Sequence, residues 1–145
     1  MRGASVADGV RGAVLAVYWG LLFTATHLPK IPEALEPGVS DKWMHTAAYG
    51  GLAFLLALVW TNWKGGGGHL RWNQAAKVLA VCAVYGVVDE VLQGFVSRQP
   101  DVRDWVADVL GSASGTAFYA LLAAGWRWFT TAGRSLSSSR GDAPD

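Results

Sequence analysis

Between residues 89 and 115 the chain reads DEVLQGFVSRQPDVRDWVADVLGSASG, and this stretch concentrates Asp89, Glu90, Gln93, Arg98, Asp101, Arg103, Asp104 and Asp108 between two strongly apolar runs. Ionisable groups at membrane depth are costly and so are either functional or tightly paired. Adjacent carboxyls in an apolar setting ionise together only at high cost, so Asp89 or Glu90 is expected to keep its proton unless Arg98 or Lys42 lies close. A carboxyl of that kind is a general acid or base, and His45 is the natural partner for it. The chemistry this would serve is acid/base or hydrolytic work on a lipid-linked substrate, with Arg98 and Lys42 holding an anionic head group such as phosphate. The competing reading is an ion-pair network in which Arg98 and Arg103 neutralise the acids and fix the helices.

Other chemistries are less well supplied. Carboxylates with one His have the donor types for Mg²⁺, Ca²⁺ or Zn²⁺. Neither H-E-x-x-H nor a Cys cluster is present, so no residue is assigned to a metal and the cofactor stays unknown. Ser112 and Ser114 have no G-x-S-x-G context and read as small packing residues. His69 sits beside four glycines and reads as solvated, and His27 reads as an interfacial residue. An ion or proton path would need more room than four short helices offer in one chain.

The elements that must position these groups are helices. Four apolar segments are expected at about 12–28, 41–62, 74–95 and 103–126, each long enough for a hydrocarbon core of roughly 30 Å. The first is read as a retained helix rather than a signal peptide, because it is long for a signal core and no clear A-x-A site follows it. PKIPEALEPGVS at 29–40 and the glycine-rich WKGGGGHLRWN at 63–73 are loops. On the second helix Asp41, His45 and Tyr49 share a face at i, i+4, i+8; on the third, Asp89 and Gln93 do so at i, i+4. On the fourth, Asp101, Asp104, Asp108, Gly111 and Gly115 form one stripe, and Gly111 with Gly115 makes a G-x-x-x-G segment of the kind that lets membrane helices approach closely. The same glycine stripe serves a dimer or an internal contact equally well, so the oligomeric state stays open. Residues 1–129 form the membrane domain, and the Ser- and Gly-rich 130–145 segment is read as a disordered tail.

Composition agrees. The 145 residues are 52% hydrophobic and only 16% charged, where a soluble domain carries about a quarter charged residues. A net charge of +1, with no basic patch, excludes a nucleic-acid partner. The single Cys82 excludes an intramolecular disulfide. Among the eight Trp, all but Trp19 fall near expected helix ends, as an aromatic belt requires.

Charge sorting supplies orientation. Arg2, Arg11, Lys64, Arg71, Lys77, Arg127, Arg134 and Arg140 lie on the side of the termini, against Lys30, Lys42, Arg98 and Arg103 on the other. By the positive-inside rule both termini are cytoplasmic. Glu33, Glu36, Asp41, Asp89, Glu90, Asp101, Asp104 and Asp108 then all face outward. The expectation is therefore an all-α, integral membrane four-helix bundle, multi-pass in a plasma membrane, with one polar site near the outer leaflet.

The ordered set Asp41, Lys42, His45, Ala48, Tyr49, then Asp89, Glu90, Gln93, Phe95, then Arg98, Asp101 and Asp104, then Gly111 and Gly115, resembles the VanZ-like membrane proteins of bacteria over about 41–118. The family pattern usually has Asn where this chain has Asp108, which adds a carboxylate. The resemblance implies a small bacterial plasma-membrane protein whose family namesake is linked to resistance to the lipid-tailed glycopeptide teicoplanin. The ligands that suit it are membrane lipids, a lipid-linked wall precursor or a lipoglycopeptide. In the catalytic version Glu90, Asp89 and His45 do the chemistry, while Asp41, Lys42, Tyr49, Gln93, Arg98, Asp101, Asp104 and Asp108 bind. The alternatives are a non-catalytic binder that uses the same residues, and an assembly or accessory protein whose acids are structural.

Overall fold

The computed structural model describes residues 6–28, 41–63, 68–96 and 101–138. They form four α-helices, α1 (Val6–Thr26), α2 (Asp41–Trp63), α3 (Trp72–Gln93) and α4 (Val102–Ser138), with a 3-10 turn at Gly94–Val96 closing α3. No strand occurs among the described residues. Three of the helices, α1, α2 and α4, are long and apolar enough to cross a membrane. The expected fourth span, α3, has the length but carries Asn73, Gln74 and Lys77 at one end and Asp89 and Glu90 at the other.

Local chemistry explains the helix ends. The first turn of α1 carries Asp8, favourable at a helix N-terminus, and Arg11 pairs with it at 3.1 Å. That pair carries α1 back to Val6, ahead of the expected start at 12. The side-chain amide of Gln74 accepts the Arg71 backbone N–H at 2.9 Å and starts α3. Asp101 caps α4: its carboxylate accepts the Arg103 N–H at 2.8 Å. At the far end α4 does not stop at 126. It continues through Trp126, Trp128 and Phe129 to Ser138, so 130–138 is helix rather than the expected tail. No proline interrupts this stretch, and the Thr130 and Thr131 hydroxyls bond back to the Arg127 carbonyl at 3.0 and 2.8 Å. Its 37 residues span about 55 Å, more than the hydrocarbon core alone requires. Residues 139–145, the 29–40 loop and Arg98 lie outside the described residues.

The most extensive contact is between α2 and α4. It is made possible by glycine. A Cβ at Gly111 would overlap the Thr46 carbonyl oxygen, and one at Gly115 would overlap the Gly50 carbonyl oxygen. The G-x-x-x-G stripe is therefore filled inside this chain, by the backbone of α2. On the other face of α2, Tyr18 of α1 lies across Gly51 and donates to the Ala48 carbonyl at 2.8 Å. The core is Tyr49, Leu52, Ala53 and Ala57 of α2 against Val78 and Cys82 of α3, all fully buried. Trp19, the tryptophan that does not fit an interfacial belt, stands edge-on to Tyr85 at 5.1 Å and belongs to the packing between α1 and α3. Around this core the outward surface is apolar: Leu21, Val84, Leu110 and Leu121 are each at least 60% exposed. In water such a surface would be an association site. Facing lipid it is the expected one, because helices satisfy every backbone group internally.

Candidate functional site

The C-terminal ends of α1 and α3 and the N-terminal ends of α2 and α4 meet at one end of the bundle, and the polar side chains gather there. His45, Asp89, Glu90, Gln93, Asp104 and Asp108 are all buried. The adjacent carboxyls Asp89 and Glu90 do not share one environment. Successive helical residues point about 100° apart, and the two side chains enter different clusters.

Asp89 faces α1. Its Oδ1 accepts the Thr26 hydroxyl at 2.9 Å and its Oδ2 accepts the Gln93 amide at 3.1 Å. Its imidazole neighbour is His27, at 3.7 Å, beyond hydrogen-bond reach. His27 Nδ1 instead lies 2.8 Å from the Phe23 carbonyl. Asp89 is thus a doubly satisfied buried carboxylate, not half of a shared pair with Glu90, and its imidazole neighbour is not His45. Thr26 and His27 are residues that sequence spacing did not bring in. The signal for them was the polar end of α1, on the same side of the bundle as the acids.

Glu90 faces α2 and α4. Its Oε2 accepts the Asp101 backbone N–H at 2.8 Å, while its Oε1 is buried without a hydrogen-bond partner among the described residues. Donor atoms of His45, Glu90 and Asp104 lie within 4.8 Å of one another. His45 Nδ1 is 2.9 Å from Asp108 Oδ1. Asp108 Oδ2 has no partner among the described residues. Lys42 pairs with Asp104 at 2.6 Å and with Asp101 at 3.3 Å. Lysine in the first turn of a helix opposes the macrodipole, whereas Asp101 and Asp104 at the start of α4 favour it. The Lys42 ammonium therefore bridges from the start of α2 to the start of α4. The Asp101 carboxyl, outside the spans, is held below its usual value by the Arg103 N–H and by Lys42.

Tyr49 lies deeper. It is fully buried, stacks on Tyr85 at 5.8 Å, and neither phenol oxygen has a partner among the described residues. Beside it a small cavity of about 90 Å³ is lined by Leu22, Thr26, His45 and Tyr49. Trp105 Nε1 donates to the Ala83 carbonyl at 3.0 Å and ties α4 to α3. Of the remaining expected binding residues, Asp41 begins α2 and Arg98 falls outside the described residues. The Arg103 side chain is exposed and makes no ion pair among the described residues, although its charge helps to lower the Asp101 carboxyl.

Two grooves flank the start of α4. One, about 470 Å³, runs between α2 and α4, with Lys42 and Arg103 at its polar end and Trp43, Val106 and Leu110 along its walls. The other, about 300 Å³, runs between α3 and α4, with Glu90 and Asp101 at its polar end and Val87, Val91 and Trp105 along it. Both are apolar channels opening on charged groups, and Val102 lines both.

No curated protein and no solved structure matches the chain. The VanZ/LLP1 family model matches residues 13–123. The match runs from α1 through the glycine-packed part of α4 and includes every residue of the polar cluster. This helical membrane protein belongs to the VanZ/LLP1 family.

Proposed function

We propose that this protein binds an anionic, lipid-linked envelope ligand at the outer leaflet of a bacterial plasma membrane, with both termini in the cytoplasm, and so contributes to teicoplanin tolerance. The observation that carries this is the α2–α4 groove. Its polar end has two cations, and its walls are apolar. A phosphate would sit between Lys42 and Arg103, and an acyl or prenyl chain would lie along Trp43, Val106 and Leu110. Arginine and lysine are the side chains suited to phosphate. The Lys42 side chain is 44% exposed despite its two carboxylate partners, so it remains reachable.

In the catalytic version Glu90 is the acid/base group. Its Oε1 has no competing partner among the described residues, and its Oε2 is fixed by the Asp101 N–H. His45, oriented by Asp108, would then act beside Glu90, which lines the α3–α4 groove, on a head group that reaches across the start of α4. In the binding version the same carboxyl only recognises a hydroxyl or amine of the head group. The two versions separate on Glu90→Gln, which keeps shape and hydrogen-bonding capacity but cannot transfer a proton.

The test uses the full chain in nanodiscs, with a polyprenyl phosphate compared against phosphatidylcholine. Retention of the prenyl phosphate by the wild type, and at least about tenfold weaker binding by Arg103→Gln, is the expected result. Arg103 suits this test because removing it strands no carboxylate among the described residues. Equal binding of both lipids, or full affinity in Arg103→Gln, would remove the groove from the ligand's path. If the wild type alters a lipid-precursor pool in cells and Glu90→Gln does not, the site is catalytic.

A further inference from the structure

The Glu90 cluster has a composition that a lipid head group does not account for. Three helices each supply one donor, His45 from α2, Glu90 from α3 and Asp104 from α4, and their ligand atoms fall within 4.8 Å of one another. All three side chains are buried; Glu90 is 7% exposed, and its Oε1 lacks a partner among the described residues. We propose that His45, Glu90 and Asp104 form a binding site for one divalent cation of the Mn²⁺ or Zn²⁺ type.

Each of the three groups is also held by a second residue, in the manner of a metal's outer shell. Asp108 Oδ1 lies 2.9 Å from His45 Nδ1. A carboxylate on an imidazole nitrogen is the outer-shell partner that fixes tautomer and ring orientation at metal-bound histidines. Glu90 Oε2 is tied to the Asp101 N–H at 2.8 Å, and its Oε1 has no partner among the described residues. Asp104 Oδ1 is tied to Lys42 at 2.6 Å.

Charge supports the same assignment. Among the described residues, Glu90, Asp104 and Asp108 lie around one imidazole, and the cation paired there, Lys42, is shared between Asp101 and Asp104. Buried charges are stable only when paired or bound to metal. One imidazole with two carboxylates suits Mn²⁺ or Zn²⁺ better than the all-oxygen shells preferred by Ca²⁺ and Mg²⁺. Three protein ligands also leave coordination positions open, as at metal sites that bind a substrate. This deepens the ligand reading above, because an open position here could take a phosphate oxygen. It does not depend on it, because metal binding is measured with no lipid phosphate present.

The experiment is a titration of the purified full chain in detergent, stripped with chelator, with MnCl₂ or ZnCl₂. Bound metal is counted by mass spectrometry and Mn²⁺ is followed by electron paramagnetic resonance. One ion per chain is expected, with melting temperature rising as metal is added, because the ion binds the folded state. His45→Ala and Glu90→Gln should each lose at least about 100-fold in affinity, and Asp108→Ala about 10–100-fold through the imidazole. Asp89→Asn, outside the cluster, should keep wild-type affinity. The metal-induced rise in melting temperature should vanish in Glu90→Gln whatever that variant's starting stability. A wild type that binds no stoichiometric ion overturns the site, and so does a Glu90→Gln protein that retains both the ion and the melting rise. Failure here with intact prenyl-phosphate binding would remove the metal and keep the groove.

Discussion

Asp89 and Glu90 are neighbours on one helix, both buried and both acidic, yet the fold treats them differently. Asp89 has both carboxylate oxygens hydrogen-bonded to side chains of the chain itself, from Thr26 and Gln93. Glu90 has one oxygen on the Asp101 backbone, while the other is buried without a partner among the described residues, beside His45 and Asp104. A satisfied buried acid ties α1 to α3 and gains nothing from a ligand. An acid left half-satisfied costs about 1–3 kcal/mol of desolvation, and such a cost is retained where a ligand, ion or proton completes the site. On the proposed reading, the same sequence step, one residue along α3, separates framework from site.

The strongest way to break this comparison is to part α2 from α4, which together hold the Glu90 half. Gly115→Leu places a side chain where the Gly50 carbonyl lies. The cost should reach or exceed the roughly 3 kcal/mol upper range for overpacking, and the protein should fail to accumulate in membranes by immunoblot. Next is Asp89→Asn, which exchanges one acceptor for a donor facing Thr26 or Gln93. About 1–3 kcal/mol of stability should go, read as a lower melting temperature, while the function per folded molecule is kept. Glu90→Gln should do the converse. A Gln side chain still accepts the Asp101 N–H, so stability should change by less than about 1 kcal/mol, while ligand-dependent function is lost.

The smallest expected effect is the pH response of the α4 cap. The folded Asp101 carboxyl holds its proton less tightly than in the unfolded chain, because of the Arg103 N–H and Lys42. Its contribution is full above the unfolded value and is lost as pH falls through the folded one, below about pH 4. Melting curves in that window should show a slight destabilisation that Asp101→Asn, already lacking the charge, does not repeat.

How much of this was legible in the chain depends on range. Helix existence followed from apolar runs, and the shared face of Asp89 and Gln93 followed from their spacing; their hydrogen bond is 3.1 Å long. The glycines of α4 announced a close approach but not its partner, because Gly50 and Thr46 enter through the tertiary fold. The divergence of Asp89 from Glu90 was also out of reach, since it depends on which neighbour each side chain meets. Thr26 and His27 were missed for the same reason: no local pattern links residue 26 to residue 89, which meet at 2.9 Å. Lys42 was expected to hold a ligand or offset the Asp89–Glu90 pair. In the fold it bridges Asp101 and Asp104, a pairing set by the approach of two helix N-termini.

The measurement that bears most directly on the division between framework and site is teicoplanin susceptibility of cells expressing wild type, Asp89→Asn or Glu90→Gln, scaled to the amount of each protein in the membrane. The expected result is that Asp89→Asn loses abundance but keeps wild-type tolerance per molecule, whereas Glu90→Gln reaches wild-type abundance and confers none. Tolerance retained by Glu90→Gln at full abundance would contradict a catalytic or metal-binding Glu90 and leave only the binding version.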